Sequence, residues 1–199
     1  MAMLAPKILV MAGSLRVGSS NARLAALAVK ELALAEADVT RISLADYPLP
    51  LFDADTLTDS GMPREALELR EMVAAHQGVF IASPEYSASV SPLIKNSIDW
   101  LSRARDRSEQ NYAVFKGRVF ALGAAANGSA GGIRGLMALR QVLELGCGAL
   151  VLPEQITVGR AGQAFDDMDN LKDENLAGSL KALARRLIDM ASLMPRAVA

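Results

Sequence analysis

Cysteine and histidine are almost missing from this chain, with one of each in 199 residues. A single cysteine excludes an internal disulfide framework, and one His beside one Cys excludes a His/Cys zinc site of the usual kind. The free thiol of Cys147 fits a reducing, cytoplasmic compartment. An excess of one charge is missing too. There are 21 basic and 22 acidic residues, for a net charge of −1, so neither nucleic acid nor a membrane surface is indicated as the principal partner. No apolar run approaches the roughly 20 residues of a membrane span. The opening MAMLAPKILVMAGS has no charged region before its short apolar run, so it reads as a first strand rather than a signal. Internal repeats and low-complexity linkers are absent as well.

What is present is a core. Hydrophobic residues make up 51% of the chain, rich in Ala, Leu and Val, and the length suits one domain across residues 1–199. Short apolar runs alternate with amphipathic stretches. Lys7–Ala12 is continuous and apolar, as in a parallel strand buried on both faces. Residues 21–37 carry Leu24, Leu27, Ala28, Leu32 and Ala35 at helical spacing. Residues 38–44 read as an edge strand, 45–63 as loop, 64–76 as helix and 78–84 as a buried strand. The turn 84–91 leads into a helix over 92–104. A solvated loop, 103–111, precedes the strand 117–126 and the small-residue loop 127–132. Helix 133–146, strand 148–158 and helix 172–194, capped by Asp173 or Asn175, complete the chain. Five β-α units imply a parallel sheet covered on both faces, of α/β flavodoxin-like order 2-1-3-4-5. Ligands of such sheets lie outside the strand C-termini near the switch between strands 1 and 3, where the loops GSLRVGSSN, SPEYSAS and GAAANGSAGG converge.

The first of these loops offers Ser14, Arg16, Ser19, Ser20 and Asn21 at a helix N-terminus, where free N–H groups favour an anion. It lacks both the G-x-G-x-x-G of dinucleotide sites and the Gly-Lys-Ser/Thr of a Walker loop. Hydroxyl and amide donors with one guanidinium suit a terminal phosphate such as that of FMN. The alternative is an ordinary N-cap at Ser19 or Ser20 with Arg16 in water. In the second loop Pro84 stiffens the turn. The N–H groups of Glu85, Tyr86 and Ser87 suit the polar edge of a planar ring, and Tyr86 suits its wall or a half-buried core position. For Glu85 an exposed or cap-like carboxylate is preferred to a proton-transfer role. The third loop, with Ala126 and Asn127, is small enough to approach a flat ligand closely or to make a tight turn.

These loops carry a family resemblance. G-S-x-R-x-x-S-x-N is complete in Gly13, Ser14, Arg16, Ser19 and Asn21. Pro84, Glu85, Tyr86, Ser89, Lys95, Asn96, Ile98, Asp99 and Trp100 match P-E-Y-N-x-S-x-P/G-x-x-K-N-x-I-D-W, and GGIRGLMALRQVL resembles the fourth helix. The chain is similar to the NADPH-dependent FMN reductases, flavodoxin-like proteins that include chromate, quinone and azo-dye reductases. Ser87 stands where the family usually has Asn, and AAANGSAGG replaces a loop usually rich in Ser and Thr. The resemblance implies that Ser14, Arg16, Ser19 and Asn21 hold the FMN phosphate, that Pro84–Ser87 and Ser89 border the isoalloxazine, and that the protein is a homodimer or homotetramer. It implies a ping-pong cycle in which NAD(P)H reduces FMN and a quinone, azo compound, metal oxyanion or free flavin reoxidises it. No protein nucleophile or metal is needed and no catalytic residue is named. A flavodoxin-type carrier or a non-catalytic flavin-binding protein is the alternative; carriers tend to be strongly acidic, and this chain is not.

The remaining candidates have structural readings. His76 suits a helix C-terminal cap. Cys147 suits a small buried apolar position. Lys95 and Asp99 suit an i,i+4 pair, while Ile98, Trp100 and Leu101 suit a core or subunit interface. Arg103, Arg105 and Arg107 suit a solvated loop or a rim attracting the NADPH phosphate.

Overall fold

Strands form where the short apolar runs lie. The computed structural model describes residues 5–105 and 109–195. In chain order the elements are β1 (Lys7–Ala12), α1 (Ser20–Leu34), β2 (Asp38–Arg41), α2 (Ala54–Ser60), α3 (Arg64–Ala74) and β3 (Gly78–Ala82). A hairpin of β4 (Glu85–Tyr86) and β5 (Ser89–Val90) follows, then α4 (Pro92–Arg103), β6 (Val119–Ala125), α5 (Ile133–Gln141), β7 (Leu150–Val158), α6 (Ala161–Ala164) and α7 (Glu174–Ala191). Every residue of β3 and β6 is buried, as are Ile8 to Met11 of β1. Such strands must be covered on both faces. The main sheet is parallel throughout, in the order β2-β1-β3-β6-β7. This is the expected flavodoxin-like topology once the hairpin is set aside.

Alternation of side chains through the sheet divides the core in two. Ile8, Val10, Phe80 and Ala121 meet Leu24 and Leu32 of α1 and Leu183 and Leu187 of α7. Leu9, Val79, Ile81 and Leu122 meet Leu69 of α3, Ile94 and Ile98 of α4, and Leu136 and Leu139 of α5. Trp100 is fully buried and does more than fill space. Its indole N–H donates to Pro50 O at 2.7 Å, and its ring meets Phe52 edge-on at 5.0 Å. Asn96, one turn earlier, donates to the same carbonyl at 2.9 Å and accepts the Phe52 N–H at 2.8 Å. The Asn and Trp of this motif thus clamp segment 50–52 onto α4, which gives the Trp100 position a core role.

Several boundaries differ from expectation. The first helix stops at Leu34 rather than 37, because Glu36 turns left-handed with φ 65°. The edge strand ends at Arg41; Ser43 Oγ accepts the Ala45 N–H at 3.2 Å and starts a 3-10 turn at Leu44–Asp46. The expected loop 45–63 contains α2, capped by Asp53, whose carboxylate accepts the Asp55 N–H at 2.7 Å. None of its residues is buried, so no apolar periodicity announces it. The turn 84–91 is a hairpin. The helix over 133–146 is α-helical only to Gln141 and widens into a π turn at Val142–Gly146. Of the two expected caps for the last helix, Asp173 is the one used, accepting the Asn175 and Leu176 N–H groups. Among the described residues no helix is long and apolar enough to cross a membrane.

Candidate functional site

The three unusual loops converge at the C-terminal ends of β1, β3 and β6. A cavity of about 190 Å³ there is lined by Ser14, Arg16, Ser19, Ser20, Asn21, Pro84, Glu85, Tyr86, Ala125, Ala126, Asn127 and Ala161. Ten of the expected site residues therefore line one cavity. Ser87 and Ser89 do not line it; both are exposed on the hairpin beyond Tyr86. Ala161 joins the wall without having been expected, and Ala125, within the third loop, is not singled out by the sequence, since a small apolar residue gives no chemical signal there.

Ser19 is the N-cap residue of α1, yet its side chain makes no capping hydrogen bond. Its N–H donates to Arg16 O and its own carbonyl accepts the Arg23 N–H, both at 3.1 Å. The residue is only 3% exposed. A buried hydroxyl with no capping partner, beside uncapped N–H donors, faces the cavity. By contrast α2, α4 and α7 are capped by Asp53, Ser91 and Asp173. The ordinary-cap alternative for this loop therefore does not describe Ser19. Ser14 Oγ accepts the Arg16 N–H at 3.3 Å, which leaves its own proton available, and the exposed Arg16 makes only a long contact to Gly18 O at 3.4 Å.

Asn21 lines the cavity in a different capacity. Its Nδ2 donates to Ala125 O and its Oδ1 accepts the Ala125 N–H, each at 2.9 Å. The side chain joins the start of α1 to the end of β6. Its contribution to the cavity is position, with most of its hydrogen-bonding capacity already committed.

Glu85 is likewise committed. One carboxylate oxygen accepts the N–H groups of Arg134 and Gly135 at 3.0 and 3.1 Å, capping α5, while the other pairs with the Arg134 guanidinium at 2.5 Å. Desolvation pushes its pKa up, but the hydrogen bonds from Arg134 and Gly135 and the charge of Arg134 outweigh it and hold the carboxyl below its ordinary range. A carboxylate so held stays ionised and is a poor proton donor. Gly135 permits this approach: a Cβ there would stand 3.0 Å from Cα and Cβ of Glu85. Tyr86, about half exposed, stands at the cavity rim. Beyond it Ser87 and Ala88 have φ values of 48° and 60° between paired strands, which is the backbone of a type I′ turn.

The other candidates lie apart from the cavity. His76 Nδ1 donates to Met72 O at 2.6 Å across one helical turn, and burial lowers its pKa. Cys147 is buried, with its thiol pushed up to about 11 mainly by desolvation, which makes it a poor nucleophile. Lys95 and Asp99 pair at 2.8 Å. Arg103 stacks on Tyr112 at 5.9 Å, Arg105 donates to Glu109 O at 2.7 Å, and Arg107 lies outside the described residues. A larger groove of about 590 Å³ separates the end of α1 from α7, lined by Glu31, Glu36, Lys181, Arg185 and Asp189 among others. It lies one helix length from the strand C-termini, and its mixed charges do not converge on one ligand type.

Comparison with known proteins agrees with this architecture. Residues 6–163 match the family profile of NADPH-dependent FMN reductase. The chain is 36% identical over 138 residues to a quinone reductase of Escherichia coli K12, covering 69% of each protein. It is 34% identical over 170 residues to an NAD(P)H-dependent FMN reductase of Pseudomonas aeruginosa, covering 84% of this chain and 85% of the relative. Among solved structures it resembles FerB, a flavoenzyme NAD(P)H:(acceptor) oxidoreductase from Paracoccus denitrificans. The TM-score is 0.74 at 26% identity, over 96% of this chain and 99% of FerB. The profile match, the flavodoxin-like sheet and the relatives together place the chain in the NADPH-dependent FMN reductase family, as an oxidoreductase of the FMN reductase and quinone reductase type.

Proposed function

We propose that the cavity above α1 holds the phosphate of FMN and that the protein, a single flavodoxin-like domain in a homodimer or homotetramer of the cytoplasm, passes electrons from NAD(P)H to small-molecule acceptors, quinones foremost. Azo compounds, metal oxyanions such as chromate and free flavin complete the proposed acceptor range. The observation that carries the phosphate assignment is Ser19: a buried N-cap hydroxyl without a capping bond, in a cavity that also holds the Ser14 and Ser20 side chains and Arg16. These are neutral donors around one positive fork, the donor set of a phosphate monoester. A volume of about 190 Å³ takes a phosphate and the start of a chain, so the ring belongs along Pro84–Tyr86 and the third loop.

Bound FMN would supply the redox chemistry, accepting hydride from NAD(P)H and passing electrons to the acceptor in a ping-pong cycle. The protein's part is to bind and orient. Arg16, Ser14, Ser19 and Ser20 hold the charged end. Asn21 keeps the end of β6 against α1, so that Ala126 and Asn127 stay close to the ligand. Pro84 and the capping bonds of Glu85 fix the hairpin whose Tyr86 borders the open face.

The test is stopped-flow reduction of FMN-loaded protein by NADH and by NADPH, then mixing with a quinone. Bleaching of the flavin band by either coenzyme and its return with quinone is the expected result. A protein that stays colourless with added FMN would sink the reading. Steady NAD(P)H oxidation with quinone by the protein alone separates a reductase from a carrier. In the same preparation Arg16→Ala is expected to weaken FMN binding by about tenfold or more.

A further inference from the structure

We infer that Arg160 is a second guanidinium for the ligand's phosphate, reaching it from the turn between β7 and α6 and making the site selective for a phosphate monoester dianion over the same flavin without phosphate. This rests on the assignment of the cavity to FMN. A phosphate monoester carries about −1.5 to −2 charges at neutral pH, and Arg16 supplies one positive charge. The neighbouring cations are committed elsewhere. Arg23 pairs with Asp169 at 2.5 Å, donates to Asp166 O at 3.1 Å and lies 4.5 Å from the centre of the Phe165 ring. Arg134 is held by Glu85, and Arg41 donates to Ala22 O at 3.2 Å. The exposed Arg160 side chain makes no hydrogen bond or ion pair with any described residue.

Its placement is built rather than incidental. Arg160 lines a recess with Asn127, Gly162 and Gln163. Asn127 also lines the phosphate cavity, and so does Ala161, the next residue. Three bonds pin this turn to the third loop: Arg160 N–H to Gly128 O at 3.3 Å, Ala161 N–H to Ala126 O at 3.1 Å, and Gly162 N–H to Asn127 Oδ1 at 3.1 Å. Gly159 lies so close that a Cβ would stand 2.6 Å from Ser129 O. Arg160 itself is left-handed, at φ 48° and ψ 43°, a conformation that glycine or asparagine takes more readily. An arginine kept in a left-handed conformation in a recess that adjoins the ligand cavity through Asn127, with its charge unspent, points to a use for that charge.

The test compares FMN with riboflavin, using protein stripped of flavin and titrated by quenching of flavin fluorescence. Arg160→Gly removes the charge and relaxes the backbone, so it is expected to raise or preserve the thermal midpoint while weakening FMN about tenfold. Riboflavin affinity stays within about twofold of wild type. The FMN defect shrinks at pH 5, below the second phosphate pKa of about 6, and Arg160→Lys keeps part of the affinity. Equal weakening of FMN and riboflavin would assign Arg160 a structural role and overturn the inference. Wild-type FMN binding by Arg160→Gly, with Arg16→Ala impaired, discards Arg160 alone. If neither variant weakens FMN, the phosphate assignment falls with it.

Discussion

Asn21 and Ala125 are 104 positions apart and exchange two hydrogen bonds of 2.9 Å, the amide of one side chain closing a ring with the backbone N–H and C=O of the other. Both residues are buried. The contact lets a side chain at the head of α1 stand in for the next strand residue at the end of β6, and it fixes the distance between the first and third loops of the cavity.

Asn21→Ala leaves the Ala125 N–H and C=O without that partner in a buried place. A cost of about 2–4 kcal/mol is expected, from two orphaned groups, read as a lowered urea midpoint with little change in slope. FMN affinity should fall along with it. A variant as stable as wild type would show that water replaces the amide without cost.

The hairpin holds a pair of strained residues. Ser87 and Ala88 both have positive φ, where Asn and Gly are the usual occupants of a type I′ turn. The double change Ser87→Asn, Ala88→Gly is expected to stabilise the protein by about 1 kcal/mol, seen as a higher thermal midpoint. No gain would mean that the released strain is offset by the greater freedom of glycine in the unfolded chain.

His76 links stability to pH. Its pKa is lowered from 6.5, first by burial and further by Lys7 and Arg118, against the opposing effects of the Met72 carbonyl and Asp38. The unfolded chain therefore binds a proton more readily than the folded one. Stability from this group is complete above about pH 6.5 and is lost as pH falls through the lowered folded value. Urea unfolding between pH 8 and pH 5 should show the wild type losing stability on the acid side relative to His76→Gln, with the difference constant above neutrality. A pH-independent difference across that range would remove His76 as the titrating group.

The sheet was legible in the sequence because a parallel strand covered on both faces must be apolar at every position, and KILVMA, GVFIA and VFALGAA are. The helix α2 was not legible, since it buries nothing and is defined by the Asp53 cap alone. The hydroxyls, amide and guanidinium of the first loop are visible in a linear string as readily as in a fold. The positions of the buried strands and the polar make-up of the first two loops thus follow from local pattern, where each residue's own polarity and neighbours decide. Tertiary structure decided the rest. Nothing in the spacing of Asn21 says that its amide is consumed by Ala125, nothing in Glu85 that it caps α5, and nothing in Arg160 that its turn is pinned to the third loop beside the cavity. Those outcomes depend on which distant backbone groups the packed loops leave unsatisfied, and only the folded chain brings donor and acceptor within reach.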